Sequence, residues 1–259
     1  MNYCVADAFT DALFGGNPAG VCLPGAPLED ALMQRIAAEN NLAETAFLFR
    51  RDDGDYGLRW FTPKVEIDLC GHATLASAFV LHHVMGQTAQ QYRFHTKSGL
   101  LTVTPRDGLY EMDFPAWPVL PVEVTPDMEA AIGCRILDAH AARDLILLLR
   151  DEAAVRNLQP DFVAIAALPY PHGVAVTARG QTCDFVSRFF APNMGIPEDH
   201  VTGSLHAELI PFWAARLGKT RLEARQLSAR GGTLFCEDCG ERVKIAGRAA
   251  LYLSGEIHI

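Results

Sequence analysis

The chain is 259 residues long, enough for one large domain or two of about 130 residues each. Hydrophobic residues make up 49% and charged residues 20%, the balance of a folded globular chain with no disordered tract. A net charge of -9 leaves no basic face for nucleic acid or an anionic membrane, so an anionic substrate must find positive field locally.

The first residues, MNYCVADAF, carry neither the basic nor the apolar region of a signal peptide. No apolar run is long enough to span a bilayer, and the cytoplasm is the expected location. Leu28 to Asn40 has the spacing of an amphipathic helix. Short strands are predicted at Thr45 to Phe49, Tyr56 to Phe61, Leu100 to Thr104, Val163 to Ala166, Gly173 to Thr177 and Arg242 to Ile245. Turn signals at Asp53-Gly54, Asp107-Gly108 and Gly231-Gly232 separate several of them. A short helix is predicted at Asp151 to Leu158.

The proline-rich stretch Phe114 to Pro126 reads as a linker. It divides the chain into residues 1–116 and 117–259, with the last strand free to return to the first domain. Strands in runs with one central helix per half describe an α+β chain.

Seven cysteines, an odd and scattered set, fit reduced thiols better than a disulfide framework. Cys236 and Cys239 form a C-x-x-C pair with no second ligand pair nearby, which reads as a hairpin turn at Glu237 and Asp238. No metal and no cofactor are expected.

The chain contains an internal repeat. RWFTP begins at Arg59 and RFFAP at Arg188, 129 positions apart, and both lead through an acidic residue and a glycine turn into a helical pattern. The helices carry Leu75, Ala76, Phe79 and Val80 in one half and Leu205, Leu209, Ile210 and Trp213 in the other. Each is apolar enough to be wrapped by sheet. A glycine turn opening a helix leaves backbone N–H groups and partial positive charge at its start. Two such starts provide for an anion; simple capping by Asp199, Thr202 or Ser204 is the plainer alternative.

Glu44 stands at the start of an apolar strand and shares a period-2 face with Ala46 and Leu48. Loss of solvation there suits a carboxyl to acid/base work near neutral pH; a strand-end Glu reaching water is the alternative. His72, in the first turn of its helix, is placed to orient or protonate a substrate, or simply to pack. Cys70 precedes the turn glycine, where a thiolate gains from the helix start. A two-thiol racemase needs a second cysteine at the matching place in the other half. Asp199 or His200 is read there instead.

Four segments taken together, Gly16-Asn17-Pro18-Ala19-Gly20-Val21, Asn41-Leu42-Ala43-Glu44-Thr45-Ala46-Phe47, Phe61-Thr62-Pro63 with Asp68-Leu69-Cys70-Gly71-His72-Ala73-Thr74, and Glu198-Asp199-His200-Val201-Thr202-Gly203-Ser204, resemble the PhzF-like isomerase family of phenazine biosynthesis. The resemblance spans nearly the whole chain. It implies the diaminopimelate-epimerase-like fold, two similar domains, each a curved antiparallel sheet round a central helix, with the active site between them. It further implies that Glu44 is the catalytic acid/base, supported by His72 and Asp199. Asn17, Cys70, Gly71, Thr202, Gly203 and Ser204 are then the substrate-binding residues, Gly71 and Ser204 donating to a carboxylate.

Family members of known chemistry isomerise a dihydro-hydroxyanthranilate by proton abstraction and return, without metal or cofactor, and a homodimer is common among them. The departure is His200, where the family motif usually has proline. The partner expected is thus a small carboxylate-bearing metabolite. Two alternatives stay open: an amino-acid racemase or epimerase using Cys70 with a second acid/base, and a small-anion binding protein without chemistry.

Overall fold

The computed structural model describes all residues 1–259, and they divide into two compact units. One comprises Met1–Phe114 with Ile245–Ile259, the other Pro115–Lys244. No helix is long and apolar enough to cross a membrane.

The first unit begins with β1 (Asn2–Ala8), β2 (Asn17–Leu23), α1 (Asp30–Asn40), β3 (Glu44–Arg50), β4 (Tyr56–Phe61) and the short β5 (Glu66–Ile67). Then come α2 (Gly71–Phe79), a π-helical turn at Val80–Val84, β6 (Tyr92–Thr96), β7 (Gly99–Arg106) and β8 (Leu109–Pro115). The sheet is mixed. β1–β2, β3–β4, β4–β5, β6–β7 and β7–β8 are antiparallel, while β2–β3 and β4–β6 are parallel.

All nine residues of α2 are buried, because the sheet curves round a helix whose every face is small or apolar. On the outer face of the sheet, Met33, Ile36 and Ala37 of α1 pack on Cys22, Phe47 and Phe61.

The second unit contains β9 (Leu120–Val122), α3 (Pro126–Ile132), β10 (Asp138–Ala141), β11 (Leu145–Leu148), α4 (Glu152–Arg156), α5 (Phe162–Ala167), β12 (Val174–Arg179) and β13 (Phe185–Ala191). It continues through β14 (Ile196–Asp199), α6 (Gly203–Leu217), β15 (Arg221–Gln226), β16 (Gly232–Asp238) and β17 (Arg242–Gly247). The last strand, β18 (Ala249–Glu256), pairs antiparallel with β1.

The pairing order repeats that of the first unit. β11–β12 and β13–β15 are parallel; β10–β11, β12–β13, β13–β14 and β15–β16 are antiparallel. Ten of the fifteen residues of α6 are buried. Trp213 stacks on Phe185 with ring centroids 5.7 Å apart and donates its indole N–H to Thr177 at 2.9 Å. Pro211 cannot donate to the Ala207 carbonyl, and the Trp117 N–H takes that place at 3.0 Å.

The repeat extends to side chains. Arg59 grips Glu66 with two hydrogen bonds of 2.7 and 2.8 Å, and Arg188 grips Glu198 with two of 2.7 and 2.9 Å. Each pair ties the RWFTP-type strand to the short strand leading to the central helix, in the planar fork geometry that arginine favours. Each arginine also lies over a phenylalanine two residues on, Phe61 or Phe190.

Three local expectations are corrected. Val163 to Ala166 lies within α5 rather than a strand, since Asp161 caps the backbone N–H groups of Val163 and Ala164 and starts a helix that alternation alone does not reveal. Glu237 and Asp238 end β16, and the turn falls one residue later, at residues 239–241. The stretch Phe114 to Pro126 is not wholly linker: β9 lies in it and pairs with β10.

Candidate active site

Glu44 begins β3, one residue before the strand pairs with Phe61. It is 6% exposed. His72 is the second residue of α2, and Cys70 is the residue that caps the helix, in extended conformation with no side-chain cap. Together they put an acid, an imidazole and a thiol in one buried cluster. His72 Nε2 lies 3.1 Å from Glu44 Oε2, and Cys70 Sγ lies 3.6 and 3.9 Å from the two ring nitrogens. Although the imidazole is this near, Glu44 Oε2 receives no aligned hydrogen bond, so a buried carboxylate oxygen keeps an open lone pair.

Asn17, fully buried at the start of β2, completes the cluster. Its Nδ2 lies 3.3 Å from His72 Nδ1. Gly16 makes that position reachable: its φ is +60°, and an added Cβ would sit 2.1 Å from the Ala8 carbonyl oxygen, so only glycine fits. With the Asn17 amide donating to Nδ1, the ring keeps its proton on Nε2, towards Glu44. A second proton requires the amide to turn its oxygen to Nδ1.

Burial is the largest influence on His72 and opposes its charge, yet the negative charge of Cys70 and Glu44 outweighs it and raises His72 well above its usual range. The same burial pushes the Cys70 thiol up, against the lowering effect of His72. A thiolate at Cys70 and a raised thiol are at odds. Glu44 lies nearer His72 than the thiol does, and burial leaves Cys70 a neutral thiol.

The ligand atoms of Glu44, Cys70 and His72 lie within 4.8 Å of one another, near enough to share an ion. Filling that mixed donor set would displace protons from thiol and imidazole and take up the open carboxylate oxygen.

In the second unit, α6 starts as α2 does. Thr202 caps it in extended conformation, and Gly203 and Ser204 are its first residues. The Thr202 side chain does not cap the helix; it donates to Asp199 Oδ2 at 2.6 Å. By contrast, Thr125, Asp151 and Asp161 do cap α3, α4 and α5. The position matching Cys70 is therefore Thr202, not Asp199 or His200, and Ser204 matches His72. No thiol stands at the second helix start.

Gln226, fully buried on β15, had no motif to reveal it. Its Oε1 accepts the Thr202 N–H at 2.9 Å, and its Nε2 donates to the Asp199 carbonyl at 2.8 Å and to Thr202 Oγ1 at 3.1 Å. Ser228 holds the His200 carbonyl at 2.8 Å. The site residues thus fall into two groups. Asn17, Glu44, Cys70, Gly71 and His72 gather in the first unit; Asp199, Thr202, Gly203 and Ser204 gather in the second.

The phenazine biosynthesis-like protein family matches residues 6–255. The chain belongs to this family. It is 51% identical over 253 residues to an uncharacterized isomerase of Pseudomonas aeruginosa, covering 98% of this chain and 97% of that protein. A PhzF-family protein of Enterococcus faecalis has the same fold, with a TM-score of 0.98 at 47% identity over 100% of this chain and 99% of that one. A PhzC/PhzF protein of Clostridium difficile follows at a TM-score of 0.95, also at 47% identity, over the whole of both chains. The chain is an isomerase of this family with a buried Glu–His pair suited to acid/base catalysis.

Proposed function

We propose that the protein isomerises a small carboxylate-bearing metabolite by proton transfer, without metal or cofactor, with Glu44 as the acid/base. The supporting observation is the buried Glu44 oxygen, 3.1 Å from His72 yet without an aligned hydrogen bond. Glu44 takes a proton from a carbon alpha or vinylogous to a carbonyl or carboxylate and returns it to another carbon of the same substrate, so protons balance over the cycle. His72 stands 3.1 Å from the carboxylate and steadies its charge before the first transfer and after the second, Glu44 being a neutral carboxyl while it carries the proton. Asn17 sets the orientation of the ring. The uncapped start of α2 at Gly71 offers N–H donors to the substrate carboxylate, and the uncapped start of α6 at Gly203 and Ser204 offers a second set of the same kind. Asp199 and Gln226 fix the Thr202 segment that leads into that set.

A racemase working through Cys70 has less support. The thiol is pushed up by burial, and its counterpart is Thr202. The experiment is deuterium uptake from solvent into cyclic and acyclic carboxylates, wild type against Glu44→Gln. Exchange in the wild type that Glu44→Gln loses supports the proposal. Full exchange by Glu44→Gln would overturn it, and loss of exchange in Cys70→Ala alone would restore the thiol mechanism.

A further inference from the structure

Two carboxyl groups outside the proposed site are almost completely buried against each other. Asp144, just before β11, is 1% exposed, and Glu208, in the second turn of α6, is 0% exposed. Glu208 Oε1 accepts the Asp144 backbone N–H at 3.2 Å. Their other oxygens, Asp144 Oδ2 and Glu208 Oε2, have no donor. Two ionised carboxyls in contact away from water would repel strongly; a single proton held by the pair removes the repulsion and supplies a donor.

The groups that act on the pair are few. Arg143, beside Asp144, has its guanidinium 5.6 Å from the Trp117 ring centroid, and exposed His172 precedes β12; both favour charge on Asp144. β10 meets the far part of α6 through His140, whose ring centroid lies 5.1 Å from that of Phe212, and Asp138, paired with Arg216. β12 and β13 meet it through Thr177 and Phe185. The buried residues that β15 and β16 pack against it are Leu222, Ala224, Gln226, Leu234 and Cys236. Among the residues of β15 and β16 just named only the Cys236 thiol titrates, and burial pushes it up. Two residues earlier on the helix than Glu208, His206 is held neutral by burial, its pKa lowered to about 4.

We infer that Asp144 and Glu208 share one proton, that this proton pins the segment between β10 and β11 to α6, and that its loss at rising pH releases the segment. Burial raises Asp144 to about 6 and, together with the Asp144 charge, Glu208 to about 8. The proton therefore resides on Glu208, and Asp144 bears the charge that Arg143 and His172 face. An acid whose folded value lies above its unfolded one stabilises the closed state fully below the unfolded value and loses that contribution as pH climbs to the folded value. The window runs from the ordinary carboxyl value up to about 8. The pin holds α6, the helix that begins at Gly203 and Ser204.

The test does not depend on the substrate. Amide hydrogen exchange at Asp144 is followed against pH, corrected for the intrinsic rate and referenced to amides of α2. Opening in the wild type is expected to rise about tenfold per pH unit between about 6, where Asp144 is already ionised, and about 8, and then to level. Glu208→Gln, whose amide oxygen still accepts the Asp144 N–H, is expected to show no such rise. Infrared spectroscopy at neutral pH should show a protonated-carboxyl band that Glu208→Gln removes. Equal pH dependence in the two proteins, or no such band, would overturn the inference. Should Glu208→Gln fail to fold, Asp144→Asn serves in the same two measurements.

Discussion

The two units carry the same strand order and the same arginine–glutamate grip, yet only the first sets an acid against an imidazole at its helix start. Phe61 pairs with Thr45 as Phe190 pairs with Val174, so the counterpart of Glu44 is Gly173. At the helix starts, Cys70 and His72 correspond to Thr202 and Ser204. Duplication preserved the scaffold because strand pairing and the grip depend on backbone geometry and one ion pair. The chemistry diverged because three side chains can change without disturbing either. The first unit keeps a buried Glu–His pair suited to acid/base work; the second keeps Asp199, hydroxyls and Gln226 at its helix start.

The sharpest way to break this asymmetry is Glu44→Gln, which is expected to lower turnover by about 10²–10⁴-fold with circular dichroism unchanged. An equal loss in Ser204→Ala with Glu44→Gln spared would reverse the assignment of roles. His72→Asn comes next, with a loss on the order of 10²-fold from misplacing Glu44. Its stability should differ from wild type in a pH-dependent way. His72 is raised in the folded state, so its pairing stabilises fully below about 6.5 and is lost as pH rises through the elevated value. Thermal melting across that range checks it.

Gln226→Ala tests the holding role of the second unit. It strands the buried Thr202 N–H and should cost about 1–3 kcal/mol in urea unfolding, with KM rising more than kcat falls. The smallest effect is expected from Cys70→Ala, less than about tenfold on turnover, since a neutral thiol takes no proton in the proposed cycle.

Glu44 was visible in the sequence only as an acid at a strand start, and that alone did not separate it from a solvated strand end. The structure supplied the burial, the nearness of His72 and the open oxygen, all consequences of β3 starting beside the first turn of α2. Gln226 stayed hidden because β15 carries no glycine turn or repeat, and its function comes from meeting Thr202 across 24 residues of chain. Asp144 and Glu208 were hidden for the same reason, being 64 residues apart. The helix α5 was missed because a six-residue apolar run has no period that distinguishes helix from strand; its Asp161 cap was the usable signal.

What the sequence determined by itself was the duplication, the α+β class and the two glycine turns into apolar helices, because these rest on local periodicity and on motifs repeated at a fixed offset. Only the tertiary structure decided which acid is buried against which partner, that Thr202 answers to Cys70, and that a carboxyl pair lies sealed beside α6. Those facts depend on desolvation and on contacts between distant strands, which are set by packing and have no local signature in the chain.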